Sequence, residues 1–307
     1  MSAPVDPIDT PLVDASFIAL DLEATGLSTF YDPIIEIGAE RFDRRGEVMA
    51  RFQEFVKPDI PIPARITRLT GIDDAMVAEA RPIQEVIHDF LEFLNAEPAI
   101  LIAHSIGTDL AFLRVACDRH GHTLPDALAV DTLPLARRFF PKAPDHRLSS
   151  LVALLDTARE PTFHRALADA AHTRALFLAC LNRAESELMH VSDLKRFEAV
   201  TPCPPAPIHQ PPLPERLNGL LEFAREETPV EIIYRGGSRQ PGFRAIVPQS
   251  LFERDGRLYL RALCKRDEMA KDFRIDRINQ LRAGSTTAGS SPESTDDPAP
   301  PRASRAS

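Results

Sequence analysis

Between Thr201 and Pro214 the chain reads Thr-Pro-Cys-Pro-Pro-Ala-Pro-Ile-His-Gln-Pro-Pro-Leu-Pro, seven prolines in fourteen residues. Proline has a fixed φ and no amide hydrogen to give. The run therefore has no place inside a helix or sheet, and residues 200–214 read as a semi-rigid extended linker. It divides 307 residues into two folding units, in keeping with that length. After Ala283 the chain turns to Gly, Ser, Thr, Pro and Asp with few apolar residues, so residues 284–307 are expected to be a disordered tail.

The same division organises the charge. Residues 1–214 hold 20 Lys and Arg against 31 Asp and Glu, whereas residues 215–282 hold 14 against 11. An acidic first unit suits a site that concentrates divalent cations, and a basic second unit suits phosphate. No apolar run is long enough for a membrane span, and Met1–Ala15 lacks a basic segment followed by an apolar one. The expectation is a cytoplasmic protein without a membrane partner. Cys117, Cys180, Cys203 and Cys264 include no C-x-x-C pair, which argues against a zinc site and a disulfide framework.

The first unit opens with short apolar runs at 16–21, 34–42 and 51–56, the last two separated by Gly46, which predicts an antiparallel meander. Helical periodicity follows over 83–94, with Val86, Ile87, Phe90, Leu91 and Leu94 on one face. A buried strand is expected at 99–103, a helix at 110–119, a strand near 127–130, and helices at 147–155 and 165–181. The pattern is that of an α/β domain with a mixed sheet. In the second unit a helix at 217–226 precedes short strands at 230–234, 243–247, 251–253, 258–262 and 273–277. Gly236-Gly237 and Asp255-Gly256 supply turns, so a small barrel or curled sheet is expected.

Four acids end elements of the first unit. Asp21 and Glu23 are two apart at the end of the first strand, hence on one side of it. Asp109 follows a later strand, and Asp169 lies in the first turns of a late helix. Each alone has an ordinary explanation, as a solvated strand end or a helix N-terminal acid. Together they suit a hard cation such as Mg²⁺ or Mn²⁺, which prefers carboxylate oxygens.

The surrounding residues resemble the DEDDh branch of the DEDD exonuclease superfamily, the group of polymerase III epsilon and RNase T, over about residues 14–185. The first motif is Phe17-Ile-Ala-Leu-Asp21-Leu-Glu23-Ala-Thr25-Gly26-Leu27, followed by Ile34-Ile-Glu-Ile-Gly38-Ala. The second is Ala103-His104-Ser-Ile-Gly-Thr-Asp109-Leu-Ala-Phe112-Leu, and the third His164-Arg-Ala-Leu-Ala-Asp169-Ala. Leu69-Thr-Gly-Ile72 and Asp131-Thr-Leu133 agree in kind and order.

The resemblance implies an RNase H-like domain with a mixed sheet. It further implies that Asp21, Glu23, Asp109 and Asp169 hold two divalent ions and that His164 is the general base. The implied reaction is 3′→5′ hydrolysis of single-stranded DNA or RNA ends to nucleoside 5′-monophosphates, in repair or nucleic-acid processing. Ala24, Thr25, Gly26, Leu27, His104 and Ser105 fall where the family meets the terminal nucleotide. Ala24 replaces a usual Thr and Ser105 a usual Asn, which predicts altered rate or preference. The alternative is a regulatory protein that senses nucleic acid without turnover.

Residues 215–282 resemble a WYL domain, carried by Glu231-Ile-Ile-Tyr234-Arg235, Phe243-Arg244-Ala-Ile-Val-Pro248, Gly256-Arg-Leu-Tyr259-Leu-Arg261-Ala-Leu-Cys264 and Phe273-Arg274-Ile-Asp-Arg277-Ile278. Leu258 stands in place of the Trp that gives the triplet its first letter. The resemblance implies an Sm/SH3-like small barrel. Tyr234, Arg235, Arg244, Tyr259, Arg261, Arg274 and Arg277 are its expected face for an oligonucleotide or regulatory ligand, because guanidinium forks fit phosphates and aromatic faces accept bases.

Overall fold

Alternating and continuous apolar runs at the start of the chain form strands β1 (Ser16–Ala24), β2 (Ile34–Asp43) and β3 (Val48–Lys57), paired antiparallel as a meander. In this computed structural model the described residues are 9–125, 127–155, 164–184, 188–202, 213–236, 242–254 and 256–284. Most of the expected linker and the expected tail beyond residue 284 lie outside them. β2 is buried along nearly its whole length, on both faces. Its charged residues are accordingly paired: Glu40 with Arg51 and Arg174, and Arg41 with the carbonyls of Phe93, Leu94 and Glu97.

Two short helices follow, α1 (Ala64–Thr70) and α2 (Asp74–Val77), then a two-residue strand, β4 (Arg81–Pro82). With seven and four residues, α1 and α2 show too little periodicity to be read from sequence. Helix α3 (Ile83–Asn95) buries the five residues expected of it. Strand β5 (Ile100–Ala103), helix α4 (Gly107–Arg119), strand β6 (Leu128–Asp131) and helices α5 (Thr132–Phe139), α6 (Leu148–Leu155) and α7 (Ala166–Arg183) complete the alternating part.

A 3₁₀ turn over Val191–Phe197 and strand β7 (Val200–Pro202) close the first unit. The linker was expected from residue 200, but residues 200–202 extend the sheet as an edge strand, where a proline needs no amide partner. Leu188, Val191, Leu194 and Ala199, beyond the expected domain end at 185, belong to its core.

The seven-stranded sheet has the order β4-β3-β2-β1-β5-β6-β7. β1 pairs antiparallel with β2 and parallel with β5, so the sheet changes character along β1. One face packs under α5, α6 and α7 around Phe17, Phe42 and Phe177, whose rings lie 5.2–6.4 Å apart. The other face packs under α3 and α4 around Ile18, Leu20, Phe90 and Leu113.

The second unit begins with a 3₁₀ turn at Glu215–Leu217 and helix α8 (Leu220–Arg225). The single expected helix is split because Gly219 takes a left-handed φ of 82°. Five antiparallel strands follow: β8 (Val230–Tyr234), β9 (Phe243–Arg254), β10 (Arg257–Cys264), β11 (Met269–Arg274) and β12 (Ile278–Ala283), in the order β11-β10-β9-β8-β12. Two strands expected at 243–247 and 251–253 are one long β9. An irregularity in its pairing with β10 opposite Arg261 and Ala262 absorbs Pro248. The strand expected to run to 277 ends at Arg274 in a 3₁₀ turn, and β12 was not foreseen. Cys117, Cys180 and Cys264 are buried free thiols; Cys203 lies outside the described residues. No helix among the described residues is long and apolar enough to cross a membrane.

Candidate active site

β1 carries Phe17–Leu20 through the core and delivers Asp21 and Glu23 at its carboxyl end, opposite Gly38 and Glu36 of β2. Asp109 stands in the first turn of α4 and Asp169 in the first turn of α7, where helix dipoles favour negative charge. All four sit where the sheet turns from antiparallel to parallel, the kind of place where open α/β sheets leave a crevice. His164, just before α7, is exposed on left-handed backbone (φ 62°), and its amide donates to Asp169 Oδ2 at 2.9 Å. Ligand atoms of Glu23, His164 and Asp169 all lie within 4.8 Å of one another.

Electrostatics bring Asp21 and Asp109 into the same cluster. Burial, followed by the charges of Asp109, Asp169, Glu23 and Glu36, raises the Asp21 carboxyl well above the usual carboxylate range. Glu23 is pushed up to about 8 by burial and then by Asp169, Glu36 and Asp109, with Arg165 pulling the other way. Asp109 is pushed up to about 8, chiefly by burial. Acids held together out of water need either protons or a cation. Arg165 offsets them only in part, because its guanidinium is bidentate on Glu36 at 3.0 and 3.1 Å. A donor set of carboxylate oxygens with one imidazole fits a hard divalent cation.

A stability effect follows, with a definite sign. Glu23 and Asp109 have folded pKa values near 8 and ordinary values when unfolded. Their contribution is complete below about pH 4 and is lost as pH rises through about 8. In EDTA, the melting temperature is expected to fall between about pH 6 and pH 8, by an amount equivalent to a few kcal/mol. Mg²⁺ or Mn²⁺ should restore it, more at the higher pH, where protons compete less. Melting curves with and without metal across that range check this; a metal effect independent of pH would refute it.

The remaining expected substrate residues fall into two places. Ala24 ends β1, and Thr25, Gly26 and Leu27 form the turn that leaves it. Thr25 and Gly26 are buried, Leu27 is 45% exposed, and the buried Thr25 hydroxyl has no hydrogen-bond partner among the described residues. His104 and Ser105 form the turn between β5 and α4. Both His104 ring nitrogens are engaged, Nδ1 with the Thr132 hydroxyl at 2.9 Å and Nε2 with the His146 carbonyl at 2.8 Å, and burial lowers the ring's pKa. Ser105 takes a φ of 71°, and its amide donates to Asp131 Oδ1. Asparagine tolerates left-handed backbone better than serine, so Ser105→Asn is expected to stabilise the protein by about 0.5 kcal/mol. A higher urea midpoint at unchanged slope would bear this out, and a lower one would count against it.

Three residues have supporting roles that the sequence alone does not assign. Glu36, fully buried, accepts from Arg165, Gln53 and the Ala166 amide, and so ties β2 to the start of α7. His172 reaches Asp169 Oδ1 at 3.3 Å from one helical turn on, a signal that the i, i+3 spacing contained. Asp131 caps α5 through Leu133 and holds Ser105.

In the second unit the expected ligand residues divide. Tyr259 stacks on Phe252 at 5.4 Å, Arg254 lies over both rings, and Arg261 lies over Phe252. Asp272 holds both arginines. Tyr234, Arg244 and Arg274 gather instead around Phe273: Tyr234 packs edge-on to its ring, Arg244 lies over it, and the Arg274 amide donates to the Tyr234 hydroxyl. The Arg235 amide donates to the Arg277 carbonyl. Phe252 and Arg254 were not foreseen.

A buried acid cluster at the carboxyl end of a central strand, with a histidine at its rim, is a donor set that could hold hard divalent cations. Residues 18–177 match the exonuclease family and residues 215–283 the WYL domain. The chain belongs to the exonuclease family and carries a WYL domain after it. It is 36% identical over 173 residues to a PolC-type DNA polymerase III of Caldanaerobacter subterraneus, a match covering 56% of this chain and 12% of that protein. With the PolC-type polymerase III of Latilactobacillus sakei it shares 39% over 165 residues, covering 54% and 11%. This chain thus spans a small part of the length of these relatives. The nuclease domain of 3′hExo, a DEDDh family member bound to rAMP, has the same fold, with a TM-score of 0.50 at 19% identity, covering 57% of this chain and 95% of that one.

Proposed function

We propose that this protein is a DEDDh-type, metal-dependent 3′→5′ exonuclease that releases nucleoside 5′-monophosphates from single-stranded DNA or RNA ends. The observation that carries this reading is the cluster of Asp21, Glu23, Asp109 and Asp169, whose charges burial and mutual repulsion oppose. These four acids would hold two divalent ions. When bound, the ions supply positive charge that favours both the attacking and the leaving oxygen of the phosphodiester.

His164, exposed at the rim and within 4.8 Å of Glu23 and Asp169 ligand atoms, takes the proton of the attacking water. Its left-handed backbone and its amide bond to Asp169 hold it there. Thr25, Gly26 and Leu27 receive the terminal nucleotide, with the exposed Leu27 against its base. His104, occupied on both nitrogens, shapes the second turn with Ser105 and does not itself grip substrate.

The second unit is proposed to curl into an Sm-like barrel whose Phe252, Tyr259, Arg254 and Arg261 platform binds an oligonucleotide or a regulatory ligand. A cytoplasmic role in repair or nucleic-acid processing fits this pairing of modules. The test is incubation of 5′-labelled DNA and RNA oligonucleotides with Mg²⁺, Mn²⁺ or EDTA, beside a 3′-phosphate-blocked substrate. A metal-dependent ladder shortening from the 3′ end is expected. Binding without cleavage under every metal would favour a sensor.

A further inference from the structure

The turn between β1 and β2, residues 25–33, is backed by the second domain. Ser28, fully buried, donates its hydroxyl to Glu253 Oε1 of β9 at 2.7 Å, and the Thr29 backbone also bonds to that carboxylate. Tyr31 packs against the core of the second domain, and its carbonyl accepts from Arg225 of α8 at 3.3 Å. Beside this seam Arg68 of α1 pairs with Glu227.

Contacts within the turn carry this support inward. The Ser28 amide donates to Asp32 Oδ2 at 2.9 Å, and the Asp32 amide returns to the Ser28 carbonyl at 3.0 Å. Asp32 lies directly behind Gly26, where a Cβ would stand 2.2 Å from its carboxylate. The Thr25 amide closes the turn on the Pro33 carbonyl, and Arg65 of α1 reaches the Thr25 carbonyl. An unbroken line of contacts therefore runs from Glu253 through Ser28 and Asp32 to Gly26.

We propose that Glu253, from the second domain, is a positioning residue for the turn that receives the 3′-terminal nucleotide, so that the WYL domain sets how tightly the nuclease grips an end. This rests on the exonuclease reading, which gives residues 25–27 their substrate. Glu253 touches no reacting group and acts through Ser28. An amide in its place still accepts the Ser28 hydroxyl, whereas alanine does not. The effect falls on ground-state binding, because the acids and His164 are supported by other elements.

The experiment compares the full-length wild type with Glu253→Ala, Glu253→Gln, Ser28→Ala and the Ser28→Ala/Glu253→Ala double variant. Steady-state kinetics on a 5′-labelled oligonucleotide run beside amide hydrogen exchange over residues 25–33. Glu253→Ala and Ser28→Ala should each raise KM about tenfold with kcat within about twofold, and the double variant should be no worse than either. Glu253→Gln should stay near wild type. Exchange over 25–33 should quicken in Glu253→Ala while α7 keeps its protection. An unchanged KM and exchange in Glu253→Ala, strictly multiplicative effects in the double variant, or a Glu253→Gln as impaired as alanine overturns the proposal. A wild type that releases no nucleotide refutes the exonuclease reading instead, and the exchange comparison then still decides whether Glu253 holds the turn.

Discussion

Asp21→Asn is expected to abolish nucleotide release while making the metal-free protein more stable. The carboxyl is buried and faces Asp109, Asp169 and Glu23, all of which raise its pKa. An asparagine of the same shape removes one of the mutually repelling charges and keeps the packing. In EDTA near neutral pH the gain should be roughly 1–3 kcal/mol. On the proposed ligand set the same change also removes a cation ligand, and a lost charge of that kind costs at least about 10³ in rate. Denaturation in EDTA and turnover with Mn²⁺, measured on one preparation, test both halves. A variant that is less stable without metal would mean that the acids are not strained against one another. Residual activity within about tenfold of wild type would take Asp21 out of the ligand set.

The second large effect is expected at a residue with no side chain. A methyl group on Gly38 would stand 2.2 Å from both the Ala166 carbonyl carbon and the Leu167 amide nitrogen, backbone atoms that cannot turn aside. β2 and the start of α7 touch here because Glu36 accepts the Ala166 amide and grips Arg165. Gly38→Ala must therefore push α7 outward, at about 3 kcal/mol or more. α7 carries Asp169, and His164 hangs from its start through Asp169. A displacement of about an ångström there should lower kcat about a hundredfold. Urea denaturation and single-turnover rates check the two expectations. Near-wild-type values in both would mean that α7 has room to slide.

The four candidate acids were legible because they are local: each ends a strand or begins a helix, and the residue types around them repeat a known order. What supports them was not. Glu36 sits in a buried strand, and its charge is tolerated there through Gln53 and, 129 and 130 positions away, Arg165 and the Ala166 amide. Glu253 reads as an ordinary strand residue until its contact with Ser28, 225 positions away, is seen. In the second unit, the gap expected between strands 243–247 and 251–253 is closed by one strand with an irregular pairing, while Gly219 breaks a helix that periodicity alone would continue. Residues 188–202 lack a strong pattern because they are held by the sheet and core they join, not by their own propensity.

That last segment has a practical consequence. β7 is the outer neighbour of β6, pairing Val200 with Val130, Thr201 with Ala129 and Pro202 with Leu128. A fragment trimmed at residue 185 would strip this cover and bare a row of unpaired amides and carbonyls along a hydrophobic strand, a template for self-association. The same fragment ended after Pro202 keeps its border closed. A protease or a gene fusion that separates the two modules without clumping the first has to cut downstream of that proline.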